Sequence, residues 1–136
     1  MGQQQLLLII LGVVVVGIAI AVGITMFADS AASSNRDEVV ADLENLSARA
    51  QQYYRKPTSN FGGGYSFNGL TTSAITLLTN KPSNANGVYS IETAGSGSGI
   101  TSTVTIKGVG TELFNGSPVA AHVFVYPDHD SVVVLN

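Results

Sequence analysis

The sequence predicts an α+β fold in which one long N-terminal helix packs against a C-terminal antiparallel sheet of about four strands. Residues 6–27 form an uncharged, almost entirely apolar run, and an amphipathic segment follows it without a proline as far as Lys56. Beyond the turn signal Asn86-Gly87, apolar residues recur at every second position, which is typical of half-buried strands. We therefore divide the chain into residues 1–28, residues 29–56 and a β-rich head of residues 57–136.

The apolar run is long enough to span a membrane. As a helix, its 22 residues would measure about 33 Å, against about 30 Å for the hydrocarbon core of a bilayer. Fifteen of them are Leu, Ile, Val or Phe, which makes insertion favourable by several kcal/mol. A single segment in lipid must satisfy its own backbone hydrogen bonds, and only a helix does so. Residues 1–28 are therefore expected to cross the membrane.

The residues that flank the apolar run favour a membrane span that stays in the protein over a cleavable signal peptide or a lipid anchor. A secretory signal peptide carries a basic residue before its apolar core, whereas the first charged residue here is Asp29. N-myristoylation requires Ser or Thr at position 6, and this position is Leu6. A cleavable signal is thus the weaker interpretation, and anchoring by a myristoyl chain is excluded.

Residues 29–56 are predicted to form an amphipathic helix. Their apolar residues recur at spacings of three and four: Val39, Val40, Leu43, Leu46 and Ala50. Asp37 and Glu38 lie early and Arg55-Lys56 lie at the end, the order that the helix dipole prefers, and Pro57 ends the segment. A fresh helix could be capped by Ser33, Ser34 or Asn35. Because this segment contains neither Gly nor Pro, we favour one continuous helix of about fifty residues, roughly 75 Å long.

The head is predicted to begin with a loop at Gly62-Gly63-Gly64 and to continue as a meander. Residues 71–80 hold either a short helix or a strand, and residues 95–99 form a flexible connection. Strands are expected around Tyr89 and Ile91 and over residues 100–106, 119–126 and 131–135, with a hairpin turn at Asn115-Gly116. The apolar sheet face would include Ile100, Ser102, Val104, Ile106, Val119, Ala121, Val123 and Val125. The helical stripe is the obvious cover for this face.

Composition argues against several function classes. The net charge is −3, only 11% of residues are charged and no basic face is visible, so direct nucleic acid binding is not expected. Without cysteine, the chain has no disulfide and no thiolate metal site. Asp128-His129-Asp130 contains metal-ligating side chains, but without a further ligand cluster it is interpreted as a polar turn. We find no nucleophile signature and assign no catalytic residue, metal or cofactor, so an enzyme is not expected.

Five aromatic residues are expected to lie near the helix exit. They are Tyr53, Tyr54, Phe61, Tyr65 and Phe67. Stacking between subunits and charge transport along a filament are possible roles for such a cluster. Covering the end of the sheet core is the simpler role, and we favour it.

This order of elements resembles type IV pilins and the related pseudopilins. In that family an inner-membrane prepilin peptidase removes a short leader, and assembly machinery in the same membrane builds a filament with the apolar helices in its core. The resemblance implies an extracellular filament whose unassembled subunit resides in the cytoplasmic membrane, with Met1 as a methylated mature N-terminus. It also implies a homo-oligomer in which these residues serve assembly: Met1, Gln5, Leu8, Leu11, Val15, Ile18 and Val22.

The sequence departs from the family pattern at Gln5, where the family usually has a glutamate. Gln5 brings no charge to pair with a neighbouring N-terminal amine, although burying an amide costs less than burying a carboxylate. The frequent mid-helix proline is also missing. If cleavage instead follows Gly2, position five becomes Leu7 and the motif fails.

Archaeal pilins are a variant of the same resemblance, because they commonly lack the glutamate and carry a β-rich head. Two glycosylation-type sequons would suit them, at Asn45 and Asn115, and Asn115 is the candidate because Asn45 is expected on the helix. Two alternatives to a major filament subunit remain at this point. One is a minor pseudopilin of a secretion system, and the other is a single-pass membrane-anchored extracytoplasmic binding module.

Overall fold

A computed structural model describes residues 2–136 and confirms the α+β arrangement. Helix α1 spans Gly2–Arg55. The strands are β1 (Gly87–Ser96), β2 (Thr103–Phe114), β3 (Ser117–Val125) and β4 (Asp130–Val134). They form one antiparallel meander in the order β1-β2-β3-β4. Three short 3-10 turns, Thr58–Asn60, Ala74–Leu77 and Gly99–Thr101, lie in the connections.

The prediction of one continuous helix is confirmed, since α1 runs unbroken for 54 residues. Only its second half packs on the head, through the stripe that the spacing predicted: Val39, Leu43, Leu46 and Ala50 are buried. Past Arg55 the glycine loop turns back over the helix end. There the amides of Gly63 and Gly64 bond the carbonyls of Tyr53 and Lys56 at 2.8 and 2.9 Å. These bonds satisfy carbonyls that a helix C-terminus otherwise leaves free.

The inner face of the sheet is the predicted one over most of its length. Every second residue of β3 is fully buried, namely Val119, Ala121, Val123 and Val125, as are Val104 and Ile106 of β2. Further along β2, a Cβ at Gly108 would lie 2.9 Å from both Val39 and Tyr89. A glycine at this position therefore lets the helix approach the sheet closely.

The turn between β2 and β3 is the predicted hairpin. Asn115 has φ 50° and Gly116 has φ 81°. A type I′ turn needs a positive φ at both central residues, and Asn-Gly is the dipeptide that adopts it most readily.

Three local predictions need correction. Ile100 does not share the buried face, because it lies in the Gly99–Thr101 turn with 87% of its surface exposed. Strand β1 continues through Ser96, so part of the expected flexible connection at residues 95–99 is strand. For residues 71–80, of the two predicted alternatives the structure contains the short helix, as the 3-10 helix Ala74–Leu77. The last strand is Asp130–Val134, one residue earlier than predicted.

A buried polar residue on α1 fixes an irregularity in β2. The register between β2 and β3 shifts between Val109 and Leu113, which marks a bulge. Asn35, 5% exposed, accepts hydrogen bonds at its Oδ1 from the amides of Thr111 (3.1 Å) and Glu112 (3.3 Å). Its Nδ2 donates to the carbonyl of Asn86 at 2.8 Å. One helix side chain thus satisfies backbone groups that the bulge and the turn before β1 leave unpaired.

We expect Asn35→Ala to destabilise the fold by about 2–3 kcal/mol, because two amides and one carbonyl lose their partner in a buried place. Thermal unfolding of the full chain in detergent, followed by circular dichroism, measures the effect. Asn45→Ala is the matched control, since Asn45 is exposed on the same helix and its loss should change stability by less than about 0.5 kcal/mol. Equal melting temperatures for Asn35→Ala and the control would contradict this role of Asn35.

Candidate assembly surface

The apolar half of α1, residues 6–27, is exposed on every side in the single chain. Its large apolar side chains range from 51% exposed at Val14 to 77% at Phe27. By length and composition α1 is able to cross a membrane, and none of its most apolar stretch is buried in the structure. A surface of this size does not remain in water, because covering each large side chain is favourable by roughly 1.5–3 kcal/mol.

The apolar half is also free of polar groups that would oppose its burial. Thr25 is the one polar residue between positions 6 and 27, and its hydroxyl donates to the carbonyl of Val22 at 2.8 Å within the same helix. Since its donor is already satisfied, Thr25 adds little cost in lipid or in an apolar contact. The first charge, Asp29, lies just beyond this half.

The predicted assembly residues all lie on this exposed helix, apart from Met1, which falls outside the described residues. Gln5, Leu8, Leu11, Val15, Ile18 and Val22 follow one another at spacings of three and four, which places them along one side of α1. The other sides are similarly exposed and apolar. The surface available for assembly is therefore the whole circumference of the apolar half.

A cluster around Asp42 joins the second half of α1 to the head. Its carboxylate accepts hydrogen bonds from the Tyr89 hydroxyl (2.6 Å), Asn84 Nδ2 (2.9 Å) and Asn86 Nδ2 (3.0 Å). Burial raises the pKa of Asp42, but these three hydrogen bonds outweigh it and leave the pKa below the ordinary 3.8. Burial and the bond to Asp42 together raise the pKa of Tyr89. The phenol is therefore the donor and the carboxylate the acceptor near neutral pH.

Three further polar contacts fix the helix to other parts of the head. Ser47 Oγ donates to Asp130 Oδ2 at 2.7 Å, at the start of β4. Arg49 donates to the carbonyl of Leu78 at 3.0 Å, and Gln51 Nε2 to the carbonyl of Tyr126 at 3.2 Å. Because these contacts reach both edges of the head, they fix the direction in which the apolar half projects.

The sequence analysis missed these anchors. Asp42, Ser47 and Gln51 are polar residues that flank the predicted apolar stripe, so helical periodicity places them at its border. That position is a usable signal, because a polar residue at the border of a packed face can reach the neighbouring element. Their partners were not predictable, since they lie 42 or more positions away in the chain.

In the segment Asp128-His129-Asp130, the first two residues lie in the turn between β3 and β4, and Asp130 begins β4. His129 Nδ1 lies 2.6 Å from Asp128 Oδ1, and this hydrogen bond is the main cause of the lowered pKa of Asp128. The His129 ring stacks on Tyr126, and Asp130 is engaged by Ser47. Asp128 and His129 thus pair with each other, while Asp130 is engaged by the helix. Residues 2–136 contain no group of three or more His, Cys, Asp or Glu placed to hold a metal ion.

His122 lies on the outer face of the sheet. Its Nδ1 is 2.9 Å from Glu92 Oε2, and Lys107 lies 3.6 Å from the same carboxylate. The three residues belong to three neighbouring strands, β3, β1 and β2. The arrangement is a cross-strand polar cluster on a surface.

The aromatic residues near the helix exit divide between core and surface. Phe67 is fully buried and its ring centroid lies 5.1 Å from that of Tyr54. Tyr65 packs edge-on against Tyr54 at 5.6 Å. Tyr54 and Phe67 belong to the core and half-buried Tyr53 packs against it, which is the role favoured from the sequence. Tyr65, 66% exposed, and Phe61, 89% exposed, lie on the surface. Asn115, the candidate glycosylation residue, is exposed in its hairpin turn.

Comparison with protein-family models, with curated proteins and with solved structures finds no match for this chain. Its functional interpretation therefore depends on the geometry described above.

We expect the Asp42 cluster to make folding stability pH-dependent in acid. Because the folded pKa lies below the unfolded value, the native state binds fewer protons, so the contribution is complete above about pH 4 and is lost as pH falls through the folded pKa. Melting temperatures of the full chain in detergent between about pH 6 and pH 2 measure this. Asp42→Asn should lower the melting temperature at pH 6 and flatten its decline in acid, whereas the exposed Asp37→Asn should change neither. If the melting temperature of Asp42→Asn falls in acid as steeply as that of the wild type, the Asp42 cluster is not the source of the pH dependence.

Proposed function

We propose that this protein is a structural subunit of an extracellular type IV pilus-like filament that self-assembles through the apolar half of α1. The observation that supports this most strongly is the apolar half itself, a rigid extension of the head helix with its whole circumference exposed. No catalytic residue or cofactor is part of the proposal. The subunit acts by its shape and by its contacts with other copies.

The distribution of apolar surface favours many neighbours over one. A single partner helix covers only one side of another helix, so a dimer would leave most of the apolar half in contact with lipid or water. A bundle of parallel copies covers all sides, and the total favourable free energy is on the order of tens of kcal/mol per subunit. Since the head packs only on the second half of α1, the heads of parallel copies remain outside the bundle.

The membrane and the filament are successive environments in this proposal. Before assembly, the apolar half lies in the cytoplasmic membrane, which its length matches. Prepilin peptidase and the membrane assembly machinery are the proposed partners that process and extrude the subunit. Gln5, exposed near the start of α1, then enters the filament core as a neutral amide, whose burial costs less than that of a carboxylate.

The proposal is tested by shearing cells that express the full chain and examining the medium by electron microscopy. Thin filaments that contain this chain, with the N-terminal residue and its methylation identified by mass spectrometry, are the expected result. Recovery of the chain only as a monomer from detergent-solubilised membranes would contradict it and would favour a membrane-anchored binding module.

We expect Leu8→Asp to abolish filaments while leaving the subunit in the membrane. Position 8 is near the end of the span, where a charge costs less in a bilayer than at the centre, whereas a bundle of helices would bury it without a partner. Membrane fractionation and filament yield are measured on the same cells. Ile100→Asp is the matched control, because Ile100 is an exposed apolar residue of the head, and it should assemble normally. Normal filaments from Leu8→Asp would contradict a core position for the apolar half.

A further inference from the structure

The side of α1 that faces away from the sheet carries a pair of acidic residues and, further along the helix, a pair of basic residues. Asp37 and Glu38 form the first pair, near the start of the head-bearing half. Arg55 and Lys56 form the second, at the helix end, and all four side chains are exposed. The amide of Lys56 still bonds the carbonyl of Gln52 at 3.0 Å, so this residue continues the helical geometry. We refer to these four residues as the charged stripe.

The two pairs lie on the same side of the helix. Asp37 and Arg55 are 18 residues apart, as are Glu38 and Lys56, and 18 residues correspond to five turns and about 27 Å. The buried stripe of Val39, Leu43 and Ala50 lies against the sheet on the other side. Two parallel lines along the helix therefore each run from a negative to a positive charge, one from Asp37 to Arg55 and the other from Glu38 to Lys56.

Neither pair is neutralised within the chain. The ion pairs that residues 2–136 form involve Glu92 with Lys107 and His122, and Asp128 with His129. Between the two pairs, the exposed side also carries Glu44 and Arg49, with the acidic residue again nearer the acidic pair and the basic residue nearer the basic pair. Its other residues are small or uncharged, among them Ala41, Asn45, Ala48 and Gln52. Small side chains such as Ala41 and Ala48 permit another helix to approach closely.

We propose that the charged stripe is a contact between copies of this chain and that it sets their axial offset. The inference rests on the proposed filament function. In a bundle of parallel copies, the sheet covers one side of every α1, so every copy turns its charged stripe towards the other helices. Copies at the same height would bring like charges together, whereas copies offset by about 27 Å bring Asp37 and Glu38 of one to the level of Arg55 and Lys56 of another.

We expect the charged stripe to contribute specificity for a particular axial offset between copies. Individual exposed ion pairs are weak, but like charges brought together in an interface are strongly unfavourable. The in-register arrangement is therefore penalised, and an offset of about 27 Å places both members of the acidic pair beside the basic pair. Since every subunit in a filament repeats the same contact, a small preference at each one is enough to fix the arrangement.

Charge reversal with rescue tests the inference in the full chain. Asp37→Lys with Glu38→Lys, and separately Arg55→Glu with Lys56→Glu, gives a stripe of one sign, and each should reduce the yield of sheared filaments by about tenfold or more. The variant with all four changes restores opposite signs and should assemble at close to the wild-type level. Glu112→Lys with Asp128→Lys is the matched control for the first reversal, since it raises the net charge equally at exposed positions outside the stripe.

The offset is tested by cross-linking, which the cysteine-free sequence makes unambiguous. Filaments of the Glu38→Cys, Lys56→Cys double variant, treated with a short thiol-specific cross-linker, should give a ladder of multimers on a denaturing gel. Each single-cysteine variant should remain monomeric. Cross-linked single variants, or dimers alone from the double variant, would overturn the proposed offset.

The two proposals fail in different ways. Absence of filaments from the wild-type chain would contradict both the proposed function and the proposed role of the charged stripe. If wild-type filaments form, any of three results overturns the inference alone. These are charge-reversal variants that assemble as well as the wild type, a control variant that is equally impaired, or a variant with all four changes that fails to recover the filament yield. Membrane fractionation of every variant establishes that each chain reaches the bilayer.

Discussion

The structure depends on the continuity of α1 between two halves of different surface chemistry. Its first half is apolar on all sides, while its second half is apolar only along the stripe that meets the sheet. A break between the halves would let the head and the apolar half move independently. Because the helix is unbroken from Gly2 to Arg55, the head determines the direction of the apolar half, and the apolar half determines where the head can lie.

Rigidity at the junction comes from polar contacts added to an apolar core. Val39, Leu43 and Ala50 bury apolar surface against β2 and β3, but apolar contact alone has no preferred direction. Asn35 and Asp42 add directed hydrogen bonds to the β2 bulge, to Tyr89 and to the turn before β1. A slide of the helix by one turn, about 5.4 Å, would leave these partly buried groups unpaired. The polar contacts therefore fix the register of the helix on the sheet.

The parts that the sequence predicted well are those that local periodicity determines. The alternation of Val119, Ala121 and Val123 and the three- and four-residue spacing of the helix stripe follow from the geometry of one element. The Asn115-Gly116 turn was predictable for the same reason. Ile100 was wrongly placed in a strand because its alternation with Ser102 continues the pattern, whereas the glycines around it allow a turn. Asn35 was visible only as an alternative helix cap, since its role depends on β2 residues more than 70 positions away. Side-chain contacts across such separations leave no local pattern.

The same difference between undirected and directed interactions applies to assembly. The apolar half supplies a large favourable free energy, but its residues are similar on all sides and along its length, so copies could slide or rotate against one another at little cost. A filament with a regular repeat needs an interaction between copies whose free energy changes sharply with their axial offset. Charges of opposite sign, separated by five helical turns on the exposed side of α1, vary in this way, because the interaction changes sign between zero offset and about 27 Å. In the proposed filament, their position beyond Asp29, outside the apolar half, also avoids the cost of burying charge in the membrane before assembly. In the proposed filament, the apolar half of α1 thus supplies the affinity between copies, and the charged residues of the second half set their register.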